Sequence, residues 1–192
     1  MGRARWSFLV ALAVSGCATA AAAGAGSPGG RAAGALPASR ASVHVVQPQP
    51  PPGSCHARGR GLYSLPDPRC TPGAIDPAVT QGNLARTICR SGYSARVRPP
   101  ESVTEREKRA SMRAYGDRQP LRAYEYDHLV SLELGGAPND ARNLWPEPGR
   151  APNPKDSLEG RLHARVCHGL MSLTAAQLAI ARDWVSAYRR WG

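Results

Sequence analysis

Lysine is nearly missing from this chain. Only Lys108 and Lys155 are present, so the basic excess, 25 Lys+Arg against 14 Asp+Glu for a formal charge of +11, is almost all arginine. A surface of that sign disfavours basic partners and favours nucleic acid, anionic lipid or another acidic polymer. Arginine suits phosphate in particular, because its planar fork donates two parallel hydrogen bonds. Long apolar runs are missing too: Phe8 to Val14 is too short to cross a bilayer as a helix. No C-x2-C spacing occurs, which argues against a zinc ribbon or finger, although the dipeptides Cys55-His56 and Cys167-His168 keep a Cys/His metal site as the rival reading. There is no internal repeat, which excludes a solenoid. Nothing resembles a module that reads base edges in a groove, so any contact with nucleic acid is expected to run mainly through phosphate.

What is present begins with an export signal over residues 1–20. Arg3 and Arg5 form a positive n-region, Phe8 to Val14 an apolar h-region, and small residues follow. Val14-Ser15-Gly16-Cys17 also resembles the lipobox of bacterial lipoproteins, with Cys17 as the acylated residue; the alternative is ordinary cleavage near Ala18-Thr19-Ala20. The expected location is therefore outside the cytoplasm: secreted, periplasmic or lipid-anchored to the envelope. Residues 21–54 are dominated by Ala, Gly and Pro, with Val43, Val45 and Val46 as their few core-forming side chains, and read as a disordered tether. Beyond Cys17, the four cysteines Cys55, Cys70, Cys89 and Cys167 suit two disulfides in an exported chain, with three pairings open.

The folded domain is expected over residues 55–192, as an α+β fold flanked by helices. Asp76-Pro77 reads as a cap and first position of a helix running to Cys89, with Val79, Leu84 and Ile88 on its apolar side. A second helix, polar and rich in arginine, is expected after Ser102 or Thr104 and ends at Gly116. Tyr124 to Leu134, before Gly135-Gly136, reads as one strand or the first arm of a hairpin, with Glu125 and Glu133 as strand acids. Asn153, Pro154 and Asp156 form an N-cap, a first-turn proline and a return acceptor, opening a helix whose buried stripe is Leu158, Leu162 and Val166. Thr174 with Gln177 opens the last helix, with Ala176, Ile180, Trp184 and Tyr188 facing the core.

The stretch from Tyr124 to Glu159 collects an acid, a histidine and paired asparagines in one supersecondary unit. Hydrolysing a phosphodiester needs a base for water, a cation near the leaving oxygen and contacts that hold the phosphate. Histidine is the natural base near neutrality, and hard divalent ions prefer carboxylate and amide oxygens. Asp127, His128, Asn143 and Asn153 supply that set. A strand carrying Asp-His, a loop and a helix start facing back would bring them together.

At these residues the chain resembles the HNH endonucleases, built on a ββα-metal core. The match is Asp127-His128, then Asn143-Leu144, then a ligand-type residue at the start of the next helix with Lys155 close behind. The wider run, with NLWP and KD-x-LE, resembles a bacterial exported HNH-like group. The resemblance implies His128 as general base and Asp127 as a ligand of a divalent metal, most simply Mg2+. It further implies Asn143 holding loop and histidine in register, and Asn153 in the helix position of the second metal ligand. Arg142 and Lys155 are the candidate phosphate contacts. The sequence departs from the family where many members carry a third histidine, here Asn153, and the ligand role there can shift to Asp156. The implied activity is metal-dependent cleavage of nucleic acid, DNA before RNA, with little sequence selectivity. The rival is a degenerate scaffold that binds nucleic acid or envelope polymer without cutting it.

Overall fold

A computed structural model describes residues 1–2 and 34–192, so the export signal, Cys17 and the first part of the proposed tether lie outside the described residues. The described chain mixes helices with one small antiparallel sheet, an α+β fold. In order come the short α1 (Tyr93–Val97), α2 (Glu101–Tyr115), β1 (Tyr124–His128), β2 (Leu144–Pro148), α3 (Pro154–Cys167) and α4 (Leu173–Trp191), with 3-10 segments before α1, before β1 and between the strands.

The strands pair in a register that sets Glu125 opposite Glu147, Asp127 opposite Trp145 and His128 opposite Leu144. Cross-strand partners share a face, so the sheet places Glu125 and Glu147 side by side and Asp127 next along. β1 ends at His128, short of the expected Leu134. Leu129 and Val130 enter the core, and Ser131 caps a 3-10 turn at Leu132–Leu134 by accepting from the Glu133 N–H. Gly135 then turns with φ of 69°, and at Gly136 an added Cβ would lie 1.7 Å from the Val130 carbonyl oxygen. The Gly-Gly pair is thus a backbone requirement of the loop that carries the chain from β1 to Asn143.

Helix α3 opens as its sequence requires. The Asn153 side chain accepts from Lys155 and Asp156 N–H, Asp156 accepts back from Asn153 N–H, and Pro154 takes the first turn. Leu158, Leu162 and Val166 are buried and pack with Leu129, Val130, Leu134 and Trp145. α4 contributes Ala176, Ile180 and Trp184 to the same core. Its cap is Ser172 rather than Thr174, and the helix breaks at Asp183 (φ −163°, ψ 86°), whose carboxylate caps the second segment through Ser186.

Two further expectations need correction. Residues 76–89 hold no continuous helix, only a 3-10 stretch at Gln81–Arg86. Asn83 leaves the helical region (φ −126°) and its amide bonds Thr80 N–H and the Ala78 carbonyl, a local alternative that outcompetes the helix ladder. The described part of the tether, residues 34–54, is not loose either. Ser39 and Pro37 bridge to Ile75, Asn139 donates to Ser42 and Val45 carbonyls, Gln47 N–H donates to Glu107, and Gly53 N–H to Arg113. Leu36 packs against the core while Val45 and Val46 stay exposed, so the segment is held mainly by the polar partners that the core side presents to its backbone.

Cys55 pairs with Cys70 and Cys89 with Cys167. Both are compatible with an extracellular protein. Among the described residues no helix is long and apolar enough to cross a membrane. The second bond spans 78 residues and fastens the end of α3 to the irregular stretch before α1. Loop-closure entropy for a crosslink of that span is worth about 4 kcal/mol. The Cys89→Ser/Cys167→Ser double variant should therefore lose roughly that much in urea unfolding, measured against the intact chain.

Candidate functional site

Asn143 is completely buried at the start of β2, and its side chain ties three loops. Its Oδ1 accepts from Val130 N–H (2.9 Å) and Ala74 N–H (3.3 Å), and its amide donates to the Val130 and Ala137 carbonyls (both 3.0 Å). Its own carbonyl accepts from Leu129 N–H. The backbone on the far side of His128 is therefore held by one side-chain amide.

His128 is 6% exposed at the end of β1. Its Nε2 lies 2.9 Å from the Pro138 carbonyl oxygen. A carbonyl only accepts, so Nε2 carries the proton and Nδ1 keeps a bare lone pair. Burial, with the charges of Arg98 and Lys155 adding to it, brings the imidazole down to about 4, although the Pro138 bond and Asp127 pull the other way. At neutral pH the ring is an uncharged acceptor.

Asp127 and His128 line a cavity of about 60 Å3, room for a cation and a few waters. Its other walls include Glu125, Ser131, Asp156, Glu159 and the exposed Arg98. Burial is the largest effect raising the carboxyls of Glu125 and Glu159, and Asp127 raises both further. Glu147, buried behind Asp127, is raised strongly for the same two reasons. Glu125 Oε2 is buried without a hydrogen-bond partner, and Asp127 Oδ2 has a charge contact but no aligned hydrogen bond. An unpartnered Glu125 oxygen among several carboxylates around a small polar cavity fits a hard divalent cation.

Lys155 occupies the centre of this acid group, and the expectation that it touches phosphate is corrected by its burial. It is 1% exposed; its Nζ donates to the His128 carbonyl (2.8 Å), lies 2.7 Å from Asp127 Oδ2 and pairs with Glu159. Its neighbours Asp127, Glu159 and Glu147 hold the ammonium charged against the burial that opposes it. Taking the cation away leaves buried acids unpaired, a loss on the order of 3–5 kcal/mol. Lys155→Met should lose that much at pH 8 and less at pH 5. With the carboxyls' folded pKa above their unfolded values, protonation on the acid side relieves the strain; urea midpoints at the two pH values measure it.

The other two assignments also change. Asn153 is the α3 cap: its Oδ1 already accepts two N–H groups, at 2.8 and 3.2 Å, and it does not line the cavity. Asp156, three residues on, does line it. Arg142 lays its fork on Asp140, with Nε at 2.9 Å and a terminal nitrogen at 2.6 Å, and is absent from the cavity wall. Sequence reasoning missed Arg98 and Glu159 on the cavity wall and Glu147 behind Asp127, while Asp156 was its alternative ligand. A local signal did exist for Glu159. Lys155 falls on the buried stripe of Leu158 and Leu162, and Glu159 follows it by one helical turn, the spacing of an ion pair.

A second cluster lies elsewhere. Cys89, His163 and Cys167 place one donor atom each within 4.8 Å of one another. Both sulfurs are joined in the disulfide, and His163 Nε2 donates to the Ile88 carbonyl, so the Cys/His grouping holds a crosslink in this state. No family model, curated protein or solved structure matches the chain.

Proposed function

We propose that the protein is a metal-dependent endonuclease of HNH-like design, cleaving phosphodiester bonds of nucleic acid with little sequence preference. The observation that carries this is His128: an imidazole on the wall of a cation-sized acidic cavity, with Nε2 fixed by a carbonyl so that Nδ1 is left as the free acceptor. The order β1, loop, β2, α3 around that histidine supports a ββα core. Glu125, through its unpartnered oxygen, and Asp127, which shares an oxygen with Lys155, would hold the ion, with Asp156 and Glu159 as further acids on the same cavity. A bound Mg2+ there supplies positive charge for the leaving oxygen. His128 Nδ1 takes the proton from the attacking water, and Pro138 keeps the ring in the tautomer that can do so. Arg98, exposed on the cavity wall, is the phosphate cation in place of Lys155 and Arg142. Asn143 acts through the backbone that carries the histidine.

One observation favours the rival, a protein that binds nucleic acid without cutting it. Lys155 already stands between Asp127 and Glu159, where a metal would draw on the same oxygens. Incubation of the mature chain with supercoiled plasmid decides between them. Nicking that requires Mg2+ or Mn2+ and stops with EDTA supports the nuclease; a mobility shift without nicking in any divalent metal supports the binder.

A further inference from the structure

The acidic cavity does not end at its own walls. Glu125 and Tyr126 also form one side of a second, open groove of about 390 Å3. Three separate segments bring a cation to it: Lys108 from α2, Arg122 from the turn before β1, and Arg150 from the loop after β2. None of the three is ion-paired among the described residues. Arg150 Nε donates to the Arg122 carbonyl at 2.8 Å, and Gly149 N–H to the Ala123 carbonyl at 2.9 Å, so the two arginine-bearing loops are fastened side by side. Tyr124 lines the same groove and adds an aromatic surface between the charges.

We infer that this groove is the track for the nucleic-acid strand, holding the phosphates next to the one being cleaved. The inference rests on the nuclease reading and gives that site its substrate path. Unpaired cations gathered from three segments are the electrostatic arrangement that binds successive backbone phosphates, and an interleaved tyrosine is the kind of surface on which bases stack. The acid wall sets the polarity of the path. The cations stand on one side of the groove's Glu125, so the strand lies along Lys108, Arg122 and Arg150 and meets the cavity where Arg98 stands. Lys155 and Arg142, both already ion-paired, take no part.

The test separates binding from chemistry. Affinity for a labelled DNA 20-mer, single-stranded and duplex, is measured by anisotropy against salt in the His128→Ala chain. Adding Lys108→Gln, Arg122→Gln and Arg150→Gln should weaken binding at least about tenfold and lower the log–log salt slope by about 2 to 3, close to one per phosphate contact. Removing the same charge from the exposed Arg60, Arg161 and Arg189, which line neither hollow, should leave most of that slope. With His128 intact, the groove triple variant should hydrolyse bis(p-nitrophenyl) phosphate, a diester with no flanking phosphates, as the unaltered chain does. Equal weakening by the two triple variants, or none by the groove set, overturns the track. Absence of diester hydrolysis by the unaltered chain sinks the nuclease reading instead, and the binding series still decides whether the groove holds the polymer.

Discussion

Asn143→Ala is expected to cost on the order of 4 kcal/mol in urea unfolding, out of the roughly 5–15 that hold a domain of this size together. The deletion leaves four buried backbone groups without partners: the Val130 and Ala74 N–H and the Val130 and Ala137 carbonyls. Each orphaned group costs about 1–3 kcal/mol, and partial relaxation keeps the sum below the simple total. Water cannot easily repair the loss, because Asn143 is entirely enclosed and Gly136 already lies against both the Val130 carbonyl and the Asn143 amide nitrogen. Asn143→Asp separates hydrogen bonding from volume. It keeps the shape and the two acceptor contacts but turns the donor end into an oxygen facing two carbonyls. It should therefore be as damaging as alanine at pH 7 and recover in part on acidification, when the new carboxyl protonates and donates once. An aspartate variant as stable as the parent at pH 7 would show that packing, not the amide, holds the loop.

How much of this was legible in the sequence depends on how local each cause is. The α3 start needed only Asn153, Pro154 and Asp156 within one turn, and it forms as their chemistry requires. The same locality misled the functional reading, because an asparagine that satisfies two N–H groups as a cap has no oxygen left for a metal. Lys155 shows the opposite failure. Its type suggests surface, yet its position on the Leu158–Leu162 stripe places it inside, where Asp127 from β1 and Glu147 from β2 give it partners. Those partners are known only once the strand register is known. Arg98 and the groove cations are more distant still: they meet the site through turns whose geometry no periodicity announces. The stretch at residues 76–89 had helical spacing of Val79, Leu84 and Ile88, and the backbone bonds of a single side chain, Asn83, overrode it. The four cysteines announced two bonds but not their partners, since pairing depends on which segments the core brings together.

The larger effect is expected at His128. If its Nδ1 is the base, His128→Ala should lower metal-dependent plasmid cleavage by about 10²–10⁴-fold while leaving DNA affinity within about twofold, the signature of a group that acts in the transition state. With the imidazole depressed to about 4, the rate should not fall between pH 8 and pH 6 from protonation of this ring, and should drop only as pH approaches 4. An unperturbed histidine would instead begin to lose rate near pH 6.5. The same shift carries a stability signature that needs no activity. Below pH 6.5 the unfolded chain protonates this histidine and the folded chain does not, so stability falls with acidification until about pH 4, by about 3 kcal/mol in total. His128→Gln removes that contribution, and its stability should decline less between pH 7 and pH 4 than the parent's. Cleavage that survives His128→Ala takes the base assignment away, whatever the stability series shows. An unaltered acid slope in His128→Gln would mean that the ring is not held neutral by its burial.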